Sequence, residues 1–296
     1  MPEASRPAPN AAAGGMARRD LFRATAAIGA GAVASGWALP QGVEPAAAFQ
    51  RRRRARPVRV LQPGRGPGRA GRYVRSTPAT VNWGRLPNST TAPVATIRPG
   101  GLLTFDTVSH EGILEDQGRD PVAFFCRFGV PARNVLRDAI AIAGSNIQHD
   151  FANDGPHVIT GPVAVAGAQP GDVLEIEIVA LRPRVPYGVV SNRHGKGALP
   201  DVFPETPPPE PGADAAHPDL FHNVFTFVPV RSVRGRLRGL IPAGPRHRAE
   251  IPIAPFLGTM GVALDTADTV NSVPPTRAAA TSTSRTSPSA RGCGCR

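Results

Sequence analysis

A histidine and a glutamate stand side by side at His110-Glu111, one residue beyond the apolar run Leu102–Val108. Three more acids follow closely, Glu115, Asp116 and Asp120. A histidine beside a carboxylate can ligate a divalent cation or move a proton, and both are means of arming water. A bound cation lowers the pKa of its water and polarises a carbonyl. It needs two or three His, Asp or Glu ligands and an open position. Asp106 lies four positions before His110, so the two share a face if the strand continues that far. Glu111 is the natural general base or acid. A second cluster holds His149 and Asp150 in "NIQHDFANDGPH", with His157 at its end. The third lies in "SNRHGKG", a glycine-flanked loop with His194 and Lys196 that can approach a small substrate closely and steady an oxyanion. The expected metal ligands are therefore Asp106, His110 and His157, and the expected catalytic groups Glu111, His194 and Lys196. Glu115, Asp116 and Asp120 read as loop surface. His217, His222 and His247 have weaker surroundings. Cys126, between Phe125 and Arg127 with no base nearby, reads as a small core residue. No Gly-x-Ser-x-Gly elbow is present.

Strands must position these groups. "ATIRPGGLLTFDTV" sets an Arg-Pro-Gly-Gly turn between two strand-like runs, Pro93–Ile97 and Leu102–Val108. "HVITGPVAVAGAQPGDVLEIEIVAL" repeats the theme: strand, Gly-Pro corner, strand, turn, strand. In "LEIEI" the acids Glu175 and Glu177 alternate with Leu174, Ile176 and Ile178, the period of a strand with one wet face. "FHNVFTFVPV" is a further strand. Helical periodicity is confined to "PARNVLRDAIAIAG". Frequent turns at short spacing predict a mainly β protein with minor helix, arranged as a sandwich or barrel.

At 296 residues the chain is long enough for one large domain or two ordinary ones. Its formal charge of +12 is carried by arginine. The densest basic run, Arg51–Arg54, has no aromatic platform or zinc-finger spacing beside it, so it reads as a flexible arm and no nucleic-acid partner is expected. Cys293 and Cys295 complete the three cysteines, and no disulfide framework can be read from them. Near the N-terminus, Arg18-Arg19 precede Leu21, Phe22 and a weak Ala/Gly/Val run too short to span a bilayer. This resembles a twin-arginine export signal, with cleavage expected around 46–48. It implies the translocation machinery as a partner and a periplasmic or extracellular location. Residues 1–48 are then the signal and 49–72 a disordered Arg/Pro/Gly linker.

Several stretches together resemble the acetamidase/formamidase family: "STPATVNWG", "IRPGGLLTFDTVSHEGI", "DPVAFF", "TGPVAVAGAQPGDVLEIEI", "PYGVVSNRHGKGALP" and "IAPFLGTMGVA". Their order and combination, across residues 73–276, carry the resemblance. It implies hydrolysis of short amides to a carboxylate and ammonia. It also implies a jelly-roll-like β-sandwich with a β-barrel-like part, a homo-oligomer when full length, and a divalent metal, zinc or calcium. The alternative is a non-catalytic binding protein of the same fold.

Residues 277–296 do not fit this pattern. "RAAATSTSRTSPSARGCGCR" holds no Leu, Ile, Val, Phe, Asp or Glu, so no apolar strand can be built from it. Synonymous codons exist for which a one-base shift reads the tail as Gly-Gly-Asn-Ile-Asp-Val-Ala-Asp-Leu. That resembles the family's continuation, so a frame change near Arg277 is expected, with truncation of the domain and loss of activity.

Overall fold

Short strands bounded by turns make up most of the regular structure among the described residues. The computed structural model describes residues 56–66, 71–197, 199–202, 206–244, 247–274 and 279–281; the signal-like segment and most of the tail, with the frame change, lie outside them. In chain order the strands are β1 (Arg56–Pro57), β2 (Arg72–Val74), β3 (Val81–Trp83), β4 (Ala95–Ile97), β5 (Leu103–Phe105), β6 (Val158–Thr160), β7 (Val163–Val165) and β8 (Tyr187–Asn192). They continue as β9 (Val224–Val233), β10 (Arg236–Pro242), β11 (Arg248–Pro252), β12 (Thr259–Gly261) and β13 (Ala279–Thr281). Two short helices, α1 (Pro121–Cys126) and α2 (Arg137–Ala143), lie between β5 and β6. The described protein is mainly β with little helix, and its sheets do not close.

β9 organises the largest sheet. It pairs antiparallel with β8, β10 and β1, and β11 adds beyond β10. The β9–β10 hairpin turns on Arg234 (φ 52°) and Gly235 (φ 75°). Two successive positive φ values let a two-residue turn match the twist of its strands. Elsewhere the ladders are two-stranded: β2–β5 and β4–β7 parallel, β3–β6 and β12–β13 antiparallel. The Arg-Pro-Gly-Gly turn forms, with Gly101 N–H donating to the Arg98 carbonyl at 2.9 Å. The strands it joins nevertheless part company, β4 to β7 and β5 to β2.

Most of the core is assembled by helices and loops. α2 presents Ala139, Ile142 and Ala143 on one face, the spacing of an apolar helical stripe. They pack with Trp83, Val108, Ile113 and Leu114. α1 starts at Asp120, whose carboxylate accepts the Val122 and Ala123 N–H groups, with Pro121 at the first helical position. This buries Phe124 and Phe125 against Val130 and Val135, and Tyr187, Phe225 and Phe227 lean on them from β8 and β9.

Two expectations are corrected here. The "VLEIEIVAL" stretch forms no strand; Val173, Ile176 and Val179 are 65%, 48% and 46% exposed. Alternation makes a strand only where a neighbour supplies ladder partners and an apolar face, and none does so among the described residues. The linker expected over 49–72 is anchored where it is described. β1 pairs with β9, Leu61 N–H donates to the Arg184 carbonyl at 2.7 Å, and the Gln62 side chain bonds the backbone of residues 133, 135 and 137. Arg72 itself lies in β2.

Candidate functional site

The apolar pair Ile113-Leu114 plunges into the core, and the single 3₁₀ turn Glu115–Gln117 brings the chain back. Acids on either side of that pair are carried inward with it. Glu111 is 9% exposed and Asp116 2%. Gln117 locks the loop, its amide donating to Glu111 Oε2 while its oxygen accepts the Gly112 N–H. From β8 and the residue after it come Ser191 and Arg193. Ser191 Oγ donates to Glu111 Oε1 at 2.7 Å; Arg193 Nη1 reaches the same oxygen at 3.2 Å. Arg193 Nε donates to Asp116 Oδ2 at 2.5 Å, and Asn223 Nδ2, just before β9, to that oxygen at 2.9 Å. His110 Nε2 lies 3.2 Å from Glu111 Oε1.

Burial alone would raise both carboxyls, and their partners separate them. For Glu111 the His110 hydrogen bond, the Arg193 charge and the Ser191 hydroxyl outweigh burial and hold it down at about 2. It is therefore a permanent carboxylate that orients its neighbours. For Asp116 burial wins, helped by the Glu111 charge, and its pKa rises despite Arg193 and Asn223. Asp116 Oδ1 is buried with no hydrogen-bond partner among the described residues. Burial pulls the Arg193 pKa down, but Asp116 and Glu111 raise it above its ordinary value, so the guanidinium stays charged.

The expected site residues divide into those the structure gathers and those it does not. His110 and His157 meet edge to face, with ring centroids 6.2 Å apart. His157 Nδ1 lies 3.0 Å from Ser272 Oγ. Burial, then the proximity of His110, lowers the His157 pKa and favours its neutral imidazole. Asp106 is occupied elsewhere. β5 ends at Phe105, so the parity argument fails one residue before Asp106. Its carboxylate accepts the Tyr73 hydroxyl at 2.7 Å and the Gly64 N–H at 2.9 Å, and Arg184 Nε lies 3.6 Å away. His194 and Lys196 line a small cavity of about 50 Å³ with Arg193, Asn223, Phe151, Pro209 and Phe221. His194 Nδ1 sits 2.6 Å from the Thr206 carbonyl, so that nitrogen carries the proton and Nε2 is left free. Lys196 is the chain's one lysine.

The acids read as surface are structural. Asp116 belongs to the buried trio with Glu111 and Arg193, Asp120 caps α1, and Glu115 holds His149 Nδ1 at 3.0 Å. Asp150 caps its own exposed turn through the Ala152 N–H. Cys126, expected in the core, is exposed.

A divalent cation fits these residues poorly. No three His, Cys, Asp or Glu side chains among the described residues come close enough to share one. Glu111 is enclosed by Gln117, Ser191, Arg193 and His110, and Asp106 by Gly64, Tyr73 and Arg184.

Comparison with protein families, with characterised proteins and with solved structures finds no match to this chain.

Arg193, Asp116, Ser191 and Asn223 were not anticipated. Arg193 sits within the "SNRHGKG" stretch, where one arginine in a chain crowded with them carries no signal of its own. Asp116 carries no sequence signal, because its burial follows from the turn after Leu114.

Proposed function

We propose that the chain is built as a hydrolase of short carboxamides. Glu111 Oε1 carries the reading: one buried carboxylate oxygen touches both His110 and Arg193, and Arg193 forms a wall of the small cavity. The carboxylate orients His110 as a proton acceptor for water, the arrangement that triad chemistry uses for a base and its orienter. Arg193 and Lys196 supply donors for a carbonyl oxygen and the charge that develops on it, and His194 Nε2, unprotonated, is left as an acceptor beside them. A cavity of about 50 Å³ suits a substrate of very few heavy atoms. Asp116 stands behind Arg193 and, with Glu111, holds the guanidinium in place. The acetamidase/formamidase-like motifs give the same substrate class from the sequence, and with it a jelly-roll-like sandwich with a barrel-like part, a homo-oligomer and an exported location. A zinc or calcium ion enters only through that resemblance, and no step is routed through it.

Ammonia release from formamide and acetamide tests the proposal, on the full chain and on a frame-corrected gene, each with and without chelator. Turnover that His110→Asn abolishes while the fold persists supports it. No release from either protein sinks it. Trinitrobenzenesulfonate, an amine reagent, finds one lysine in this chain; modification there is expected to suppress turnover, and substrate to slow the labelling.

A further inference from the structure

We propose that the groove between residues 59–65 and 132–137 binds an organic anion bearing two or more phosphate or carboxylate groups. The groove has a volume of about 820 Å³, within the usual range for small-molecule sites. Arg59, Arg65, Arg133 and Arg137 line it, and no acid does. None of the four has an ion-pair partner among the described residues. The nearest candidates to neutralise them face inward. Asp106 bonds the Gly64 N–H, and Asp138 follows Arg137, yet both carboxylates are 3% exposed or less and both turn to Arg184. Four guanidiniums around one concavity concentrate anions there.

The walls are held in place. Gln62 Nε2 donates to the Arg133 and Val135 carbonyls at 3.3 and 2.9 Å, and its oxygen accepts the Arg137 N–H at 3.0 Å. One side chain thus fixes the two arginine-bearing segments against each other. Gly64 (φ 69°) turns the chain within the first of them, just before Arg65. A Cβ there would meet Arg75 Nε at 2.7 Å, so a fifth guanidinium lies against the same loop.

Size and lining narrow the ligand. Inorganic phosphate fills only a small part of this volume, and Val60, Leu61 and Val135 provide apolar wall for an organic body. Guanidinium forks match phosphate and carboxylate oxygens two at a time. No aromatic ring lines the groove, so the stacking platform of single-stranded nucleic-acid sites is missing.

Calorimetric titration of the full chain at low salt, with ADP, with benzene-1,3,5-tricarboxylate and with inorganic pyrophosphate, tests the proposal. The expected result is one-to-one binding of the first two, weaker binding of pyrophosphate, and loss of affinity as salt rises. Preference for ADP or for the tricarboxylate tells phosphate from carboxylate as the recognised group. Arg59→Ser with Arg133→Ser is expected to weaken binding about 100-fold, about tenfold or 1.4 kcal/mol per arginine, while Arg248→Ser on β11 leaves it unchanged. Should the double variant fail to fold, Arg65→Ser and Arg137→Ser singly are each expected to lose about tenfold. Absence of binding by both organic anions at low salt overturns the proposal. So does equal affinity in groove and Arg248 variants, or binding of single-stranded DNA alone.

Discussion

The stretch from Val108 to Ala143 and the sheet edge at β10–β11 are both ordered and end in different environments. In the first, Ile113, Leu114, Phe124 and Ile142 are 2% exposed or less, and even the acids Glu111, Asp116 and Asp138 are buried and bonded. In the second, every residue of β11 is exposed, and the side chains of its ion pairs, Glu250 with Arg231 and Arg238, are 31–42% exposed. Backbone pairing alone produces an ordered ladder without a core. Burial from several directions is what gives a charged group a shifted pKa and a fixed geometry. The chemistry therefore gathers on the loop and turn between β5 and α1, not on the best-formed sheet.

Cutting one ion pair in each region gives the widest contrast. Arg193→Met strands Glu111 and Asp116 inside the protein, and removing one partner of such a buried set costs about 3–5 kcal/mol. Arg231→Met cuts an exposed pair and is expected to cost less than about 1 kcal/mol. Urea unfolding of both variants measures the difference; equal losses would mean that Arg193 is not buried as described. Core truncation comes next. Ile142→Ala empties a fully buried position at an expected cost of about 2–5 kcal/mol. Ile251→Ala, 38% exposed on β11, is expected to stay within about 0.5 kcal/mol.

A titration separates the regions without a large perturbation. His149 stacks on Trp83, with ring centroids 4.5 Å apart, and Arg119 covers that indole at 4.8 Å. Its two nitrogens face Glu115 and the Gly155 carbonyl, both acceptors, so only the imidazolium satisfies both. Burial opposes the charge, but these partners prevail and raise the pKa above 6.5. A raised folded-state pKa stabilises the fold fully below the unfolded value and is lost as pH climbs through the folded one. The stability gap between the protein and His149→Gln is thus expected to be widest near pH 6 and to close in alkali. Thermal unfolding across that range measures it. A gap that widens upward would show that the ring is buried neutral.

What could be read from the sequence follows the same division. Local signals worked: the Arg98–Gly101 turn, the helical stripe of α2 and the β9 strand can each be read within a dozen residues. The Asp120-Pro121 start of α1 is as local a signal, a capping carboxylate followed by proline at the first helical position. Of the candidate site, His110-Glu111 and the His194–Lys196 loop lie on one connected cluster, and His157 touches it. Asp106 was lost because its partners, Gly64 and Arg184, lie 42 and 78 positions away in the chain, a separation that no periodicity reveals. Asp116 and Arg193 needed the same long-range knowledge.

The "VLEIEIVAL" run shows the least expected energy and the most direct distinction. It alternates as a strand should, yet it lies outside every described ladder with Val173 and Ile176 facing solvent. Backbone N–H groups without a ladder partner exchange with solvent at low cost in free energy. Amide exchange is therefore expected to be fast across 173–181 and slow across β9, which is paired along its length by β8, β10 and β1. Ile176→Thr should shift stability by no more than about 0.5 kcal/mol and leave β9 protection intact. Slow exchange over 173–181, together with a marked loss in Ile176→Thr, would mean that this alternation is satisfied by a partner strand, and the contrast between ladder and core would have to be redrawn there.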